Sequence, residues 1–201
     1  MKNKLFNKNT VEFIYISKEF VNFCEEVEKY ETQNIVEYLI KLLPLLYLKC
    51  ELLTGYELIE DIPTTVTEQM YESIKTNFER KFGEYDIILP IYREATKIEE
   101  IEISPLSELL ADIYQDNKTV IDYYQTNLPE VMESALYKCK LNFEEYWGPR
   151  LITSLNALHI LKYSSNIDLS LIKPKEINLE KVNTKDWIIS KFLKNIKQGT
   201  K

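Results

Sequence analysis

Residues 34–53 read NIVEYLIKLLPLLYLKCELL, and few folds accommodate such a run. Drawn as a helix over 32–53, it is apolar on nearly every side. A helix of that kind is normally central in a bundle. Pro44 removes one backbone hydrogen bond from its interior and is expected to kink it.

The flanking sequence supplies helical partners. Over 9–30, Phe13, Ile16, Phe20, Phe23 and Val27 recur at three- and four-residue spacing, with Asn9 and Glu12 at capping-box spacing. A helix over 67–82 starts on a Thr cap and stops at Gly83. Ser104 and Pro105 make a cap and first position for 104–125, with Leu106, Leu109, Ile113, Val120 and Tyr124 inward. The segment 128–147 buries Met132, Leu136, Cys139, Phe143 and Tyr146 or Trp147. Gly148-Pro149 marks a corner, and a further helix from Pro149 buries Leu151, Leu155 and Leu158. A short amphipathic helix is expected over 184–197. Between 84 and 103 no helix fits; YDIILPIY and KIEEIEI read as two short extended pieces. The chain has only four glycines, which argues against a turn-rich sheet protein and against phosphate-cradling glycine loops. The fold class is therefore all-α: one bundle of about six helices over 1–172, followed by a Lys-rich extension over 173–201.

Cys24, Cys50 and Cys139 are far apart, odd in number and set in apolar helical patterns, so they read as reduced core thiols. The first ten residues hold no apolar signal core, and the longest run without a polar residue, 42–48, is too short to span a bilayer. The expectation is a soluble cytoplasmic protein. From Lys173 onward eight Lys face three acids, a charge of +5; the total is −7, so the remaining residues carry −12. An acidic body of that kind disfavours nucleic acid.

Catalytic inventory is thin. The sole histidine, His159, has Asn156 three residues before it, so no Glu-x-x-His motif exists for a carboxylate-bridged metal pair. Cysteine and histidine spacing excludes a zinc site of the usual kind. Glu108, Asp112 and Asp116 form an acidic ladder on one helix, either a solvated edge or a hard-cation site. Ser154 and His159 point apart around a helix, and His159 reads as a packed core residue. No cofactor is expected, and the inventory points away from an enzyme.

Misplaced polarity is more informative. On helical wheels Lys49 falls within the stripe of Ile35, Tyr38, Leu39, Leu42, Leu46 and Leu53. Asn117 falls within the stripe of its own helix, with Asp116 on the shoulder, and Arg150 opens a helix beside Trp147. Buried charge has to be paired or shed. One inter-helix cluster is expected: Lys49, Asp112 or Asp116, Asn117 and Arg150. It either sets helix register or forms a polar pocket for an anionic group, with Lys49 and Arg150 as donors. Lys49 has the further option of snorkelling to solvent.

The segments LIKLLPLLYLK (39–49), LADIYQD (110–116) and NFEEYWGPRLITSLNALH (142–159) resemble the bacterial family called domain of unknown function 5063, in its order and rough spacing. The resemblance covers about 10–163 and implies an all-helical fold, with no activity or catalytic residue to carry over. Pro149 departs from the family pattern, which tolerates Gln there. Two functional readings stand: a non-catalytic module binding an unknown protein partner, supported by abundant tyrosine such as Tyr123-Tyr124, or a small-molecule (anion) binder or enzyme with its pocket inside the bundle.

Overall fold

The computed structural model describes residues 2–91 and 102–172. Its helices are α1 (Lys2–Leu5), α2 (Lys8–Glu25), α3 (Thr32–Glu51), α4 (Glu68–Phe82), α5 (Leu106–Tyr124), α6 (Pro129–Asn142) and α7 (Gly148–Tyr163). Of the expected extended pieces, YDIILPIY contains β1 (Ile88–Ile91), while most of KIEEIEI lies outside the described residues and only its last two enter β2 (Glu102–Pro105); the two strands are antiparallel, with Leu89 opposite Ser104. Among the described residues the fold is helical apart from this pair. The expected helix at 184–197 lies outside the described residues.

The central helix is α5, not α3. It packs against α2, α4, α6 and α7, whereas α3 lies mainly against α2 and α7. Apolar content therefore misplaces the centre. What decides it is the number of neighbours, and α5 buries Ser107, Asp112 and Asn117 along with its apolar residues. The outer side of α3 leaves Tyr38, Leu45, Leu48 and Leu52 exposed. Pro44 is exposed there too, and the helix runs through it unbroken. A carbonyl deprived of its donor costs least on a face open to water.

Caps differ from expectation in two places. Asn7, not Asn9, caps α2, its side chain accepting from the Thr10 amide at 3.0 Å. Ser104 does not cap α5, because it is the buried partner of Leu89 in the sheet. The cap comes from Asp86: Oδ1 accepts from the Ser107 amide at 2.8 Å, and Oδ2 from the Ser107 hydroxyl at 2.6 Å. An acid from before the hairpin thus satisfies the helix that follows it. Thr67 and Gly83 bound α4 as expected, and Gly83 takes φ +57°.

The corner expected at Gly148-Pro149 is a π-helical turn, Phe143–Trp147, and helix continues from Pro129 to Tyr163. Proline inside an α-helix cannot donate and its ring collides with the carbonyl four residues back. A wider turn relieves both problems. Gly148 donates to the Phe143 carbonyl, and a Cβ on it would sit 2.3 Å from that oxygen. Trp147, fully buried, donates to the Cys139 carbonyl at 3.1 Å. The turn also brings Arg150 into the core.

His159 is exposed beside Tyr163, rather than packed in the core. The segment between α3 and α4 is tied to α6: the Ile59 and Glu60 amides donate to the Ser134 hydroxyl at 3.0 and 2.9 Å, and the Glu57 amide to Glu133 at 3.2 Å. No helix among the described residues is long and apolar enough to cross a membrane.

Gly148→Ala tests the wide turn. The new methyl meets backbone rather than a movable side chain, so urea denaturation is expected to show a loss of about 1–3 kcal/mol. An unchanged midpoint would mean that the turn relaxes freely.

Candidate functional site

Arg150 is 2 % exposed, the second-largest fully buried side chain after Trp147. Its Nε donates to Asp112 Oδ2 at 2.7 Å, one terminal nitrogen pairs with Glu102 of β2, and the other donates to the Tyr146 carbonyl at 3.2 Å. The guanidinium lies 3.6 Å from the centre of the Tyr146 ring. The second oxygen of Asp112 accepts from the Tyr71 hydroxyl of α4 at 2.8 Å. The Tyr146 hydroxyl also reaches Asp112. Burial, then the neighbouring carboxylate, pushes the Tyr146 hydroxyl up to about 12 and the Tyr71 hydroxyl further still. These phenols stay protonated and serve as donors. The centre is one cation between two carboxylates, closed by aromatic hydroxyls from two other segments.

The structure brings together only part of the expected cluster. Asp112 and Arg150 are in direct contact. Asp116, one turn further along α5, accepts from the Asn142 side chain at 2.5 Å and lies beside the pair without touching Arg150. Asn117 folds back on its own helix, donating to the Ile113 carbonyl at 2.8 Å, and its buried Oδ1 has no partner among the described residues. Lys49 does not belong to the cluster. Its ammonium pairs with Glu12 of α2 at 2.7 Å, partly in solvent. The wheel placed its Cα correctly near the stripe, but four methylenes carry the charge clear of the core. That contact holds the Glu12 carboxyl below the usual range.

The acidic ladder is similarly divided. Glu108 meets Lys75 at 3.2 Å, Asp112 meets Arg150, and Asp116 meets Asn142. Sequence reading missed Tyr71, Glu102 and Tyr146, which complete the Arg150 site. A tyrosine or glutamate on a partly exposed segment carries no local signal of its buried partner. Tyr123-Tyr124 offered two readings, interface or core. The Tyr124 hydroxyl donates to the Leu5 carbonyl at 2.7 Å, and the ring packs on Phe6.

Burial raises the Asp116 carboxyl to about 6; the nearby Asp112 adds to this, while Asn142 and Arg150 oppose it. Asp116 lines a cleft of about 350 Å³ between α5, α6 and residues 62–64. A second concavity, a groove of about 520 Å³, runs between α2 and α3. There Phe23 is stacked between Tyr38 and Tyr30, with centroids at 4.4 and 5.1 Å, and Glu19 and Glu26 stand at the rim. Cys24, Cys50 and Cys139 are free and buried. The Cys139 thiol is raised by a hydrogen bond with Cys50 and by burial, which makes it unreactive.

These features define a helical protein with an internally neutralised ionic centre and two open concavities. The chain belongs to the family described as domain of unknown function (DUF5063), whose model matches residues 4–164. It is similar to the crystal structure of protein BF1032 from Bacteroides fragilis, with 38 % identity and a TM-score of 0.71. That match covers 81 % of this chain and 97 % of the other. Among curated proteins none matches.

Three substitutions separate these sites. Arg150→Met leaves Asp112 buried and unpaired and is expected to cost about 3–5 kcal/mol in chemical denaturation. Lys49→Met removes only a partly exposed pair and should shift stability by about 1 kcal/mol or less. Asp116→Asn should raise the Tm at pH 7.5. A carboxyl whose folded pKa is raised binds its proton more tightly when folded, so stability is gained as pH falls through about 6 towards the unfolded value. The advantage of the variant should therefore shrink by pH 4. An advantage independent of pH would contradict the raised carboxyl.

Proposed function

We propose that the protein is a non-catalytic cytoplasmic interaction module that receives a basic amphipathic segment of a partner protein on its α2–α3 face. The observation that carries this reading is the outer strip of α3. Tyr38, Leu45, Leu48 and Leu52 fall within about 80° of one another on a helical wheel, and each is 38 to 50 % exposed. Contiguous exposed apolar side chains of this size mark contact surfaces. Lys41 shares the strip, while Tyr38 joins it to the groove where aromatic rings stack beneath Glu19 and Glu26. Aromatic faces next to carboxylates suit Lys and Arg side chains, and apolar residues at helical spacing suit the face of a docked helix. The charge of −12 on residues 1–172 favours a basic partner.

The anion-pocket alternative loses its donors. Arg150 is matched by Asp112 and Glu102, and Lys49 by Glu12. Neither holds a cation in reserve for a bound phosphate or carboxylate. The buried thiols accord with a reducing compartment.

The test is a titration of the full isotope-labelled chain with a Lys-rich amphipathic peptide, followed by NMR. Shifts centred on Tyr38, Leu45 and Leu48, weakened by salt and abolished in Leu45→Glu/Leu48→Glu, are the expected result. No shift at millimolar peptide in either the full chain or a chain cut after Ile172 would sink the reading. Binding only after the cut would assign the face to the chain's own basic extension and overturn the partner reading.

A further inference from the structure

We propose that the cleft between α5, α6 and residues 62–64 is a binding site for a small organic cation, an alkylammonium or alkylguanidinium, with Asp116 as its counter-charge. This inference is independent of the α2–α3 face, which lies on other elements.

Asp116 is a half-buried carboxylate lining the cleft wall. Among the described residues no Lys or Arg lies within ion-pair distance of it, and its one side-chain contact is the neutral amide of Asn142. Every other acid in this part of the core has a cation or is capped. Asp112 has Arg150, and Glu133 has Lys4. Lys138 also lines the cleft, but its ammonium is already committed: it is bonded to Asp61 and to the Ile62 carbonyl, the latter at 2.7 Å. That double contact ties Lys138 to residues 61–62 beside the cleft and commits its charge to Asp61.

An ionised carboxylate facing a concavity with no partner is costly, and a ligand cation removes the cost. The shape agrees. A volume of about 350 Å³ suits a fragment rather than a polypeptide segment. Val120, Ala135 and Cys139 line it with apolar surface for a short alkyl chain, and the amides of Gln115 and Asn142 stand at the same wall for the remaining N–H groups. An anion would meet the Asp116 charge and be repelled. The sign of ligand is thus opposite to that expected from Lys49 and Arg150.

Burial holds the Asp116 carboxyl at about 6, which makes binding depend on pH. The charged and titratable groups around it are Asp112 on α5, Arg150 from α7, Lys138 and Cys139 from α6, and Asp61 beside Lys138. Only ionised Asp116 attracts the ligand. Between pH 7.5 and 5 its ionised fraction falls about tenfold, and the affinity should fall with it.

The experiment uses the full chain and four probes: n-butylammonium, methylguanidinium, the neutral isostere n-pentane, replaced for solubility by n-butanol, and the capped peptide acetyl-Gly-Lys-Gly-amide. NMR titration to tens of millimolar is expected to show at least one small cation binding at Gln115, Asn142 and Ala135, and butanol at least tenfold more weakly. Asp116→Asn, which keeps the shape and should not impair folding, is expected to abolish cation binding and its pH dependence. Leu45→Glu/Leu48→Glu should leave it unchanged. Absence of binding by both small cations, equal binding of butanol, or undiminished binding to Asp116→Asn would each overturn the proposal. Capture of the peptide but of neither free cation would also overturn it, because the ligand would then be a protein side chain.

Discussion

A guanidinium removed from water has to be neutralised where it sits, and the arrangement of this fold around Arg150 follows from that requirement. Desolvating the cation costs several kcal/mol, recovered only if carboxylates and further hydrogen bonds surround it. Asp112 comes from the middle of α5, Glu102 from the start of β2, and Tyr71 from α4. Asp112 and Glu102 fix α5 and β2 against α7, and Tyr71 fixes α4 against α5 through Asp112. The β-hairpin is thereby bound at two points, at Glu102 by the arginine and just before β1 by Asp86, which caps α5. A rotation of α7 by one residue would separate the guanidinium from both acids. The ionic centre therefore selects one register among many that apolar packing alone would accept.

The π-turn is the geometric condition for that centre. Pro149 forbids a regular α-helix through 145–149, Gly148 has no side chain to obstruct the Phe143 carbonyl, and the wider turn re-aims the residues that follow. Trp147 and Arg150, the two largest fully buried side chains, both emerge from this short stretch. One anchors by apolar area and a single indole hydrogen bond, the other by charge. Among what faces outward are Asp116 in its cleft, Glu19 and the Lys29-paired Glu26 beside stacked rings, and leucines with Lys41 along α3.

The site was legible in part. Asp112 was legible only as an alternative to Asp116 on the same acidic ladder, because which of the two meets Arg150 depends on how α7 packs. Arg150 was legible because it opens a helix next to Trp147. Lys49 occupies an equally internal Cα position, yet its stem reaches Glu12 at the boundary of α2. Tyr71, Glu102 and Asn142 were invisible because nothing in their own segments signals a partner; each matters only once another element lies beside it. His159, crowded with rare residues in the sequence, is exposed and takes no part.

By itself the sequence determined the helical character, most helix limits and the burial of the three thiols. All of these depend on local spacing of apolar residues, on caps and on glycine or proline, which act within a few residues of one another. Only the tertiary structure decided that α5 rather than α3 is central, that Asp86 caps α5, that Gly148-Pro149 continues a helix, and which acid meets which base. Those outcomes depend on contacts between residues tens of positions apart, where small differences in packing direction choose the partner and no local pattern records the choice.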